Sequence, residues 1–205
     1  MTFRFLKKQR IFWRDSRAAA GIEFAFIAPV FFTLLLGIIE TGIVFYAQNR
    51  LESATQSAGR EVRTGAAQGT AYAAASKCSG GTGGSGTNGA YASSQEWFKD
   101  QICCRISSLM TDCSGSLHVN VQNYTAGFGS DFSNTTDNSG NLQPVPDGYS
   151  PGTACDVVLL RTTYSWTVVA PLMSFFLVNM ANDKHLLSAT TAFRNEPFTS
   201  ASGGC

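Results

Sequence analysis

The chain has 205 residues and a formal net charge of +1, which is enough for about one domain and an anchor. The charge is uneven, because residues 1–17 carry six basic residues against one acidic residue, whereas the remainder carries nine basic and 13 acidic residues. A basic segment beside an apolar run is typical of the cytoplasmic flank of a membrane span. Nothing downstream resembles a nucleic-acid-binding module, so the composition argues against a tail that binds DNA or RNA.

An apolar run over residues 17–46 is the first predicted element. A helix from Ile22 to Tyr46 is about 37 Å long, which crosses a hydrocarbon core of about 30 Å with some tilt. A cleaved secretory signal would instead end in a small-residue cleavage site directly after the run. Polar residues that favour helix follow here, so we expect a retained span with a cytoplasmic N-terminus and an exported remainder.

Two carboxylates interrupt this run. Glu23 lies near its cytoplasmic end, and Glu40 lies about 25 Å further along the helix, near the outer interface. An unpaired carboxylate costs at least about 2.5 kcal/mol at the centre of a membrane helix and less near an interface. Glu23 is therefore either a hydrated interfacial acid or a group that pairs with another subunit. Glu40 is either hydrated or an interhelix contact to a basic group such as Arg50 of a neighbouring chain.

The helix is predicted to continue beyond the span. Good helix formers extend to about Thr64, and Gly65 is a suitable C-terminal stop. A narrow apolar stripe recurs at helical spacing, and its residues are Val44, Leu51, Ala54, Ala58 and Val62. The pattern predicts one rod from about Ala18 to about Thr64, whose outer part packs on a head.

Shorter elements follow the rod. Residues 78–89 form a glycine-rich flexible loop, and residues 93–110 predict a short helix capped by Ser93 or Ser94. Polar and apolar residues alternate over 117–124, which predicts a half-buried strand.

The C-terminal third predicts a loop and two strands. Residues 126–153 are rich in Gly, Ser, Asn, Asp and Pro, which predicts a long loop. Strands are predicted at 155–169 and 185–195, on either side of an apolar segment at 170–180. The first strand is rich in β-branched and aromatic residues, and the second places Leu187, Ala189, Thr191 and Phe193 on one face.

The predicted fold class is α+β, with a long N-terminal transmembrane helix that continues outside the membrane and packs on a small antiparallel sheet of about three strands. The corresponding division is a basic cytoplasmic leader (1–17), a transmembrane and extended helix (18–68), and an exported α+β domain with flexible loops (69–205).

All six cysteines lie beyond the span, and an even number in an exported domain predicts disulfides. No two of them have the C-x₂₋₄-C spacing of a zinc site, so we expect no metal. Antiparallel pairing of the last two strands brings Cys155 opposite about Thr199, and a bond to Cys205 is expected through the short tail. Of the adjacent residues Cys103 and Cys104, one is expected to bond Cys113 and the other Cys78, without a decision between them.

Three short motifs, "GIIETG", "FYAQ" and "AGREVRTG", occur in this order between residues 18 and 65. In these motifs the N-terminal sequence resembles the TadE-like family, the minor pilins or pseudopilins of the tight-adherence (Flp) pilus apparatus. Near the C-terminus, "VVLLRTTYSWTVVAPLM" and "LLSATTAFRNEPF" are similar to the closing strands of that family. Together the resemblance covers about residues 14–68 and 155–198.

This resemblance implies a structural, non-catalytic minor pilin that initiates, primes or caps a Tad/Flp-type pilus. Prepilin-like proteins are cleaved on the cytoplasmic side, and the glutamate at the fifth mature position neutralises the new amine of a neighbouring subunit. Carried over, cleavage falls between Ala18 and Ala19, with Ala18 where glycine is usual, and Glu23 becomes the pairing residue.

The resemblance also implies partners and a location. The partners are other pilins or pseudopilins, a prepilin peptidase and the inner-membrane pilus assembly platform, with no cofactor and no nucleic acid. The location is the bacterial inner membrane, crossed once, with the head in the periplasm or outside the cell, and entry into the pilus itself stays open.

Other functions remain open beside this one. An uncleaved bitopic assembly factor of the same apparatus would keep residues 1–18. An adhesin would use the loops at 78–92 and 126–153, because loops often carry binding sites. An enzyme is disfavoured, because the sequence has no Ser/His/Asp signature and its two histidines lie in strand-like stretches.

Overall fold

The computed structural model describes residues 16–68, 91, 93–113, 115–124, 136–169 and 174–198, with the side chains of the first helix described from Ala20 onward. The helices are α1 (Ser16–Arg63), α2 (Ser94–Ile106) and the short α3 (Ser174–Leu177). The strands are β1 (Leu117–Tyr124), β2 (Gly148–Tyr149), β3 (Val157–Thr167) and β4 (Lys184–Arg194). The glycine-rich loop predicted at 78–89 lies outside the described residues.

The strands form one mixed sheet in the order β2-β1-β3-β4. β3 pairs antiparallel with both β1 and β4, whereas β2 pairs parallel with β1 at the edge. The α+β class is therefore confirmed, and the three strands predicted from sequence correspond to β1, β3 and β4. The expected antiparallel sheet of about three strands is wrong in two respects, because the described sheet has four strands and one of them is parallel.

The additional strand β2 lies within the segment predicted as a long loop. It pairs through two residues alone, Gly148 with Asn120 and Tyr149 with Val121. Tertiary contacts hold it there, since the Tyr149 hydroxyl donates a hydrogen bond to the carbonyl oxygen of Ala67 at 2.5 Å. Two residues are too few for an alternating pattern, which explains why the sequence did not predict this strand.

The outer half of α1 forms one wall of the core. All five residues of the predicted stripe are buried, and Ala47 extends it, so that every turn from Val44 to Val62 places an apolar side chain against the head. Small residues let the helix approach the sheet closely. At Gly59 a Cβ atom would lie 3.0 Å from the Phe193 ring and 3.2 Å from the Thr191 methyl group. The stripe therefore makes α1 part of the head's core.

The helix α1 ends where the sequence predicts. Gly65 has a φ of 81°, a left-handed conformation that glycine adopts without the strain a Cβ atom would add. At the last residue of the helix, the Arg63 guanidinium lies 3.1 Å from the carboxylate of Glu196, and the Arg63 carbonyl accepts a hydrogen bond from the Glu196 amide. These contacts join the C-terminal end of α1 to the segment that follows β4.

The second helix is held by a cap, an ion pair and a disulfide. The Ser93 side chain accepts a hydrogen bond from the Glu96 amide, as an N-cap residue does. The Arg105 guanidinium lies 2.7 Å from the carboxylate of Glu61 on α1, and both side chains are partly buried. Burial raises the pKa of Tyr149, and the nearby Glu61 carboxylate raises it further. A disulfide between Cys103 and Cys113 closes the loop after α2.

The hairpin of β3 and β4 has a different register from the one expected. Val157 pairs with Arg194, so the extended register places Cys155 opposite about Glu196 and not opposite Thr199. Cys155 itself leaves the strand geometry, with a φ of 70°. Composition predicts the two strands, but their register depends on the turn between them and on which face of each strand is buried.

Replacing Leu51 by alanine tests whether α1 belongs to the core. Leu51 is completely buried in the middle of the stripe, so we expect Leu51→Ala to lower the free energy of unfolding of the head by about 2–5 kcal/mol. Urea unfolding of the full chain in detergent, followed by the change in tryptophan emission as the buried Trp97 becomes exposed, measures this loss.

The matched control is Ser53→Ala, an exposed position two residues further along the same helix. This variant should unfold at nearly the parent's urea concentration. Equal midpoints for Leu51→Ala and the parent would contradict the packing of α1 in the head.

Candidate functional site

The inner half of α1 projects from the head as an exposed apolar surface. Of the most apolar 18-residue window, 6% is buried, and this is the one helix in the described part of the chain that is long and apolar enough to cross a membrane. Its exposed side chains lie on every face of the helix. The large exposed hydrophobic residues between positions 22 and 36 are Ile22, Phe24, Phe26, Ile27, Val30, Phe31, Phe32, Leu34, Leu35 and Leu36. We call the segment from Ile22 to Ile39 the apolar half.

Two threonine hydroxyl groups in and beside the apolar half form hydrogen bonds along the helix. The Thr33 hydroxyl donates a hydrogen bond to the carbonyl oxygen of Pro29 at 2.7 Å, and the helix continues through that proline. Just beyond the apolar half, the Thr41 hydroxyl donates to the Gly37 carbonyl at 2.8 Å. Hydroxyl groups bonded in this way need no water, which suits a helix surrounded by lipid or by other helices.

Glu23 is exposed at the inner end of the apolar half. It makes no hydrogen bond or ion pair with another residue in the described part of the chain. Ala18 and Ala19 lie one turn before it in the backbone of α1, and their side chains are outside the described set. Cleavage between these alanines and pairing of Glu23 with a second subunit remain predictions.

Glu40 lies in a different environment from the hydrated one expected. Its side chain is 9% exposed, and its Oε1 accepts a hydrogen bond of 2.6 Å from the amide of Val169. The fold explains the difference, because the residues that directly follow β3 lie beside the turn of α1 that carries Glu40. Arg50, the suggested partner on a neighbouring chain, donates to the Arg105 carbonyl oxygen within its own head. An interhelix contact of Glu40 remains a prediction.

The cysteines of the described region are oxidised. Cys103 bonds Cys113, which is one of the two arrangements expected for the adjacent pair. Cys104 and Cys155 are also in disulfides. Their predicted partners, Cys78 and Cys205, lie outside the described residues. Within the described ranges, no three of the His, Cys, Asp and Glu side chains are grouped as a metal site requires.

Sequence reasoning missed the contact of Val169 with Glu40 and the exposure of two phenylalanines in α3. Val169 and two neighbouring phenylalanines, Phe175 and Phe176, are highly exposed. The signal was present in the apolar segment at 170–180, which has no helical or alternating period and so gave no prediction of where it lies.

These observations define a class of protein. An α+β head is built around the outer half of a helix whose inner half is apolar on all faces. The sequence model described as "TadE-like protein" matches residues 18–60, which is most of α1. The match confirms the N-terminal part of the resemblance predicted from the sequence, while the head beyond α1, with the strands between residues 155 and 198, lies outside it. Comparisons with curated proteins and with solved structures give no match.

Removing the Glu40 carboxylate tests its contact with Val169. A hydrogen bond to a charged group contributes about 1.5–3 kcal/mol, so we expect Glu40→Ala to accelerate hydrogen exchange of the Val169 amide by about 10- to 150-fold. The experiment uses the full chain in detergent micelles, with exchange read at single-residue resolution.

Glu40→Gln is the control, because its amide oxygen can still accept this bond. Its Val169 amide should exchange much closer to the parent's rate. Unchanged exchange in Glu40→Ala would show that the amide is protected by some other contact.

Proposed function

We propose that this protein is a minor pilin, or pseudopilin, that initiates, primes or caps a Tad/Flp-type pilus. The observation that carries the proposal is the division of α1, which is a single helix of 48 residues with an exposed apolar half and an outer half that is buried along one face. The TadE-like match over residues 18–60 supports it, because the match includes both halves.

The exposed apolar half needs a covering. Fully exposing this many large side chains to water is unfavourable, at about 25 cal/mol for each Å² of apolar surface. A bilayer covers such a helix on all faces, and a bundle of similar helices does the same. A subunit that moves from membrane to pilus exchanges one covering for the other without refolding.

The head then has a structural role. It is joined to α1 by the buried stripe and by the ion pair between Glu61 and Arg105, so it is held to the helix without a linker. We propose no catalytic residue and no cofactor for it. Its partners would be other pilins or pseudopilins and the inner-membrane assembly platform, with a prepilin peptidase acting on residues 1–18.

Glu23 has the position of a pairing residue in this proposal. It is exposed at the inner end of the apolar half, where a carboxylate is unfavourable unless it meets water or a positive group. The amine created by cleavage after Ala18 on a neighbouring subunit would supply that group. Pairing of the two charges would set how far one helix slides along the next.

Substituting Glu23 by glutamine tests the pairing. We expect Glu23→Gln to remain in the membrane, because removal of a charge makes insertion easier, but to reduce the number of assembled pili strongly. Pili are counted by electron microscopy, and the membrane content of the variant is measured by immunoblot of the same cells.

Glu52→Gln is the matched control, with the same chemical change at an exposed position in the outer half of α1. It should leave pilus numbers at the parent level. Normal pilus numbers in Glu23→Gln as well would reduce Glu23 to a hydrated interfacial acid.

The mature N-terminus distinguishes the minor pilin from an uncleaved assembly factor. The assembly factor is the second candidate because Ala18 stands where the cleaved proteins usually have glycine. We expect N-terminal sequencing of protein from native membranes to begin at Ala19, and to begin at Met1 when the prepilin peptidase is deleted. Full-length protein in cells with an active peptidase would instead establish the assembly factor.

A further inference from the structure

The connection between β3 and β4 carries exposed apolar side chains. Val169 is 83% exposed, Phe175 88% and Phe176 76%, values as high as those in the apolar half of α1. Among the described residues outside α1, these three are the large hydrophobic residues whose surface is mostly exposed. We call Val169 and α3 together the hairpin tip.

The hairpin tip lies at the end of the head that faces the apolar half of α1. β4 lies along α1, with its C-terminal end towards the outer end of the helix and its N-terminal end towards the apolar half. Contacts of β4 and of the residues that follow β3 and β4 mark this arrangement. The contacts, from the outer end inwards, are Arg63 with Glu196 at 3.1 Å, Gln48 Nε2 with the Ser188 carbonyl at 2.8 Å, and Glu40 with the Val169 amide at 2.6 Å. The hairpin thus points its closed end towards the segment proposed to span the membrane.

The contact with Glu40 also fixes the depth of the hairpin tip. At 1.5 Å per residue, Glu40 lies about 27 Å along the helix axis from Ile22. A hydrocarbon core of about 30 Å that begins near Ile22 therefore ends close to Glu40. Since the Val169 amide is hydrogen-bonded to the Glu40 side chain, the hairpin tip lies at the outer boundary of the hydrocarbon.

The chemistry of the hairpin tip suits that boundary. The Val169 amide and the Glu40 carboxylate satisfy each other, so neither is left unpaired at the edge of the lipid. The phenylalanines of α3 provide apolar surface, while the turn that follows contains Asn182 and Asp183 and is exposed and polar. A polar turn beside an apolar patch suits shallow contact with the interface, not deep insertion.

From this placement we propose that the hairpin tip inserts into the outer leaflet of the bilayer that α1 spans, as a second membrane contact of the head. The inference rests on the proposed membrane anchoring by α1 and adds a site to it. With two separated points of contact, the head is prevented from rotating freely about the helix axis.

Fluorescence quenching by lipid tests the proposal. The full chain, one copy per nanodisc, is placed in phosphatidylcholine with and without bromine on the acyl chains, and each variant is compared with the parent to subtract the native tryptophans. In Phe175→Trp and Phe176→Trp, the added emission should shift to shorter wavelength and be strongly quenched by the brominated lipid.

Two further variants calibrate the result. Thr190→Trp, exposed on β4 and about 20 Å from the hairpin tip by strand rise, should show no quenching. Phe31→Trp, in the apolar half, should be quenched if α1 spans the bilayer. Quenching at position 31 without quenching at 175 and 176 would overturn the membrane contact and leave the anchor intact, with a second protein chain as the remaining cover for this surface. Absence of quenching at position 31 would overturn the anchor as well.

Discussion

The burial of the outer half of α1 is the constraint on which the rest of the structure depends. Val44, Leu51 and Val62 are core residues of the head, yet they belong to the same helix as the apolar half. The sheet and α2 therefore cannot pack without α1, and α1 cannot leave the head without exposing its stripe. The same helix suits lipid or a helix bundle at its inner half and the core of the head at its outer half. Its apolar residues cover all faces in the inner half and a single face in the outer half.

The small residues of the stripe determine how the other elements fit. With alanine at 47, 54 and 58 and glycine at 59, the backbone of α1 comes close to β4, and the bulky side chains that fill the gap come from the sheet and from α2. The disulfide between Cys103 and Cys113 and the ion pair from Arg105 to Glu61 then hold α2 against the same helix. The disulfide lies within the core, since Cys103 and Cys113 are both buried, whereas the ion pair is partly exposed.

Local pattern was enough to predict the long elements. The stripe of α1, the cap at Ser93 and the alternation from Leu117 to Val121 depend on residues close in sequence, and the structure has all three. Properties set by distant residues were not predictable. The register of β3 and β4 differs by about three residues from expectation, and β2 exists because Tyr149 reaches Ala67 and the Phe98 ring, at 5.4 Å between ring centres.

In the candidate site as well, some features were predictable from the sequence and others were not. The apolar half and the position of Glu23 follow from composition and from the 1.5 Å rise of a helix. The environment of Glu40 does not, because its partner Val169 lies 129 residues further along the chain and is an ordinary backbone amide. No side-chain pattern marks an amide as a partner, so contacts of this type require the folded chain.

The unbroken course of α1 gives the molecule the mechanics of a rigid lever. From Glu40 to Arg63 the helix extends about 35 Å, and the structure has no joint in that stretch. An axis tilt of about 20°, ordinary for a helix in a bilayer, moves the Arg63 end sideways by roughly 12 Å. A change of this size in the angle of the inner half, produced by membrane thickness or by a neighbouring helix, thus becomes a displacement of the outer end of the head comparable to the width of a helix.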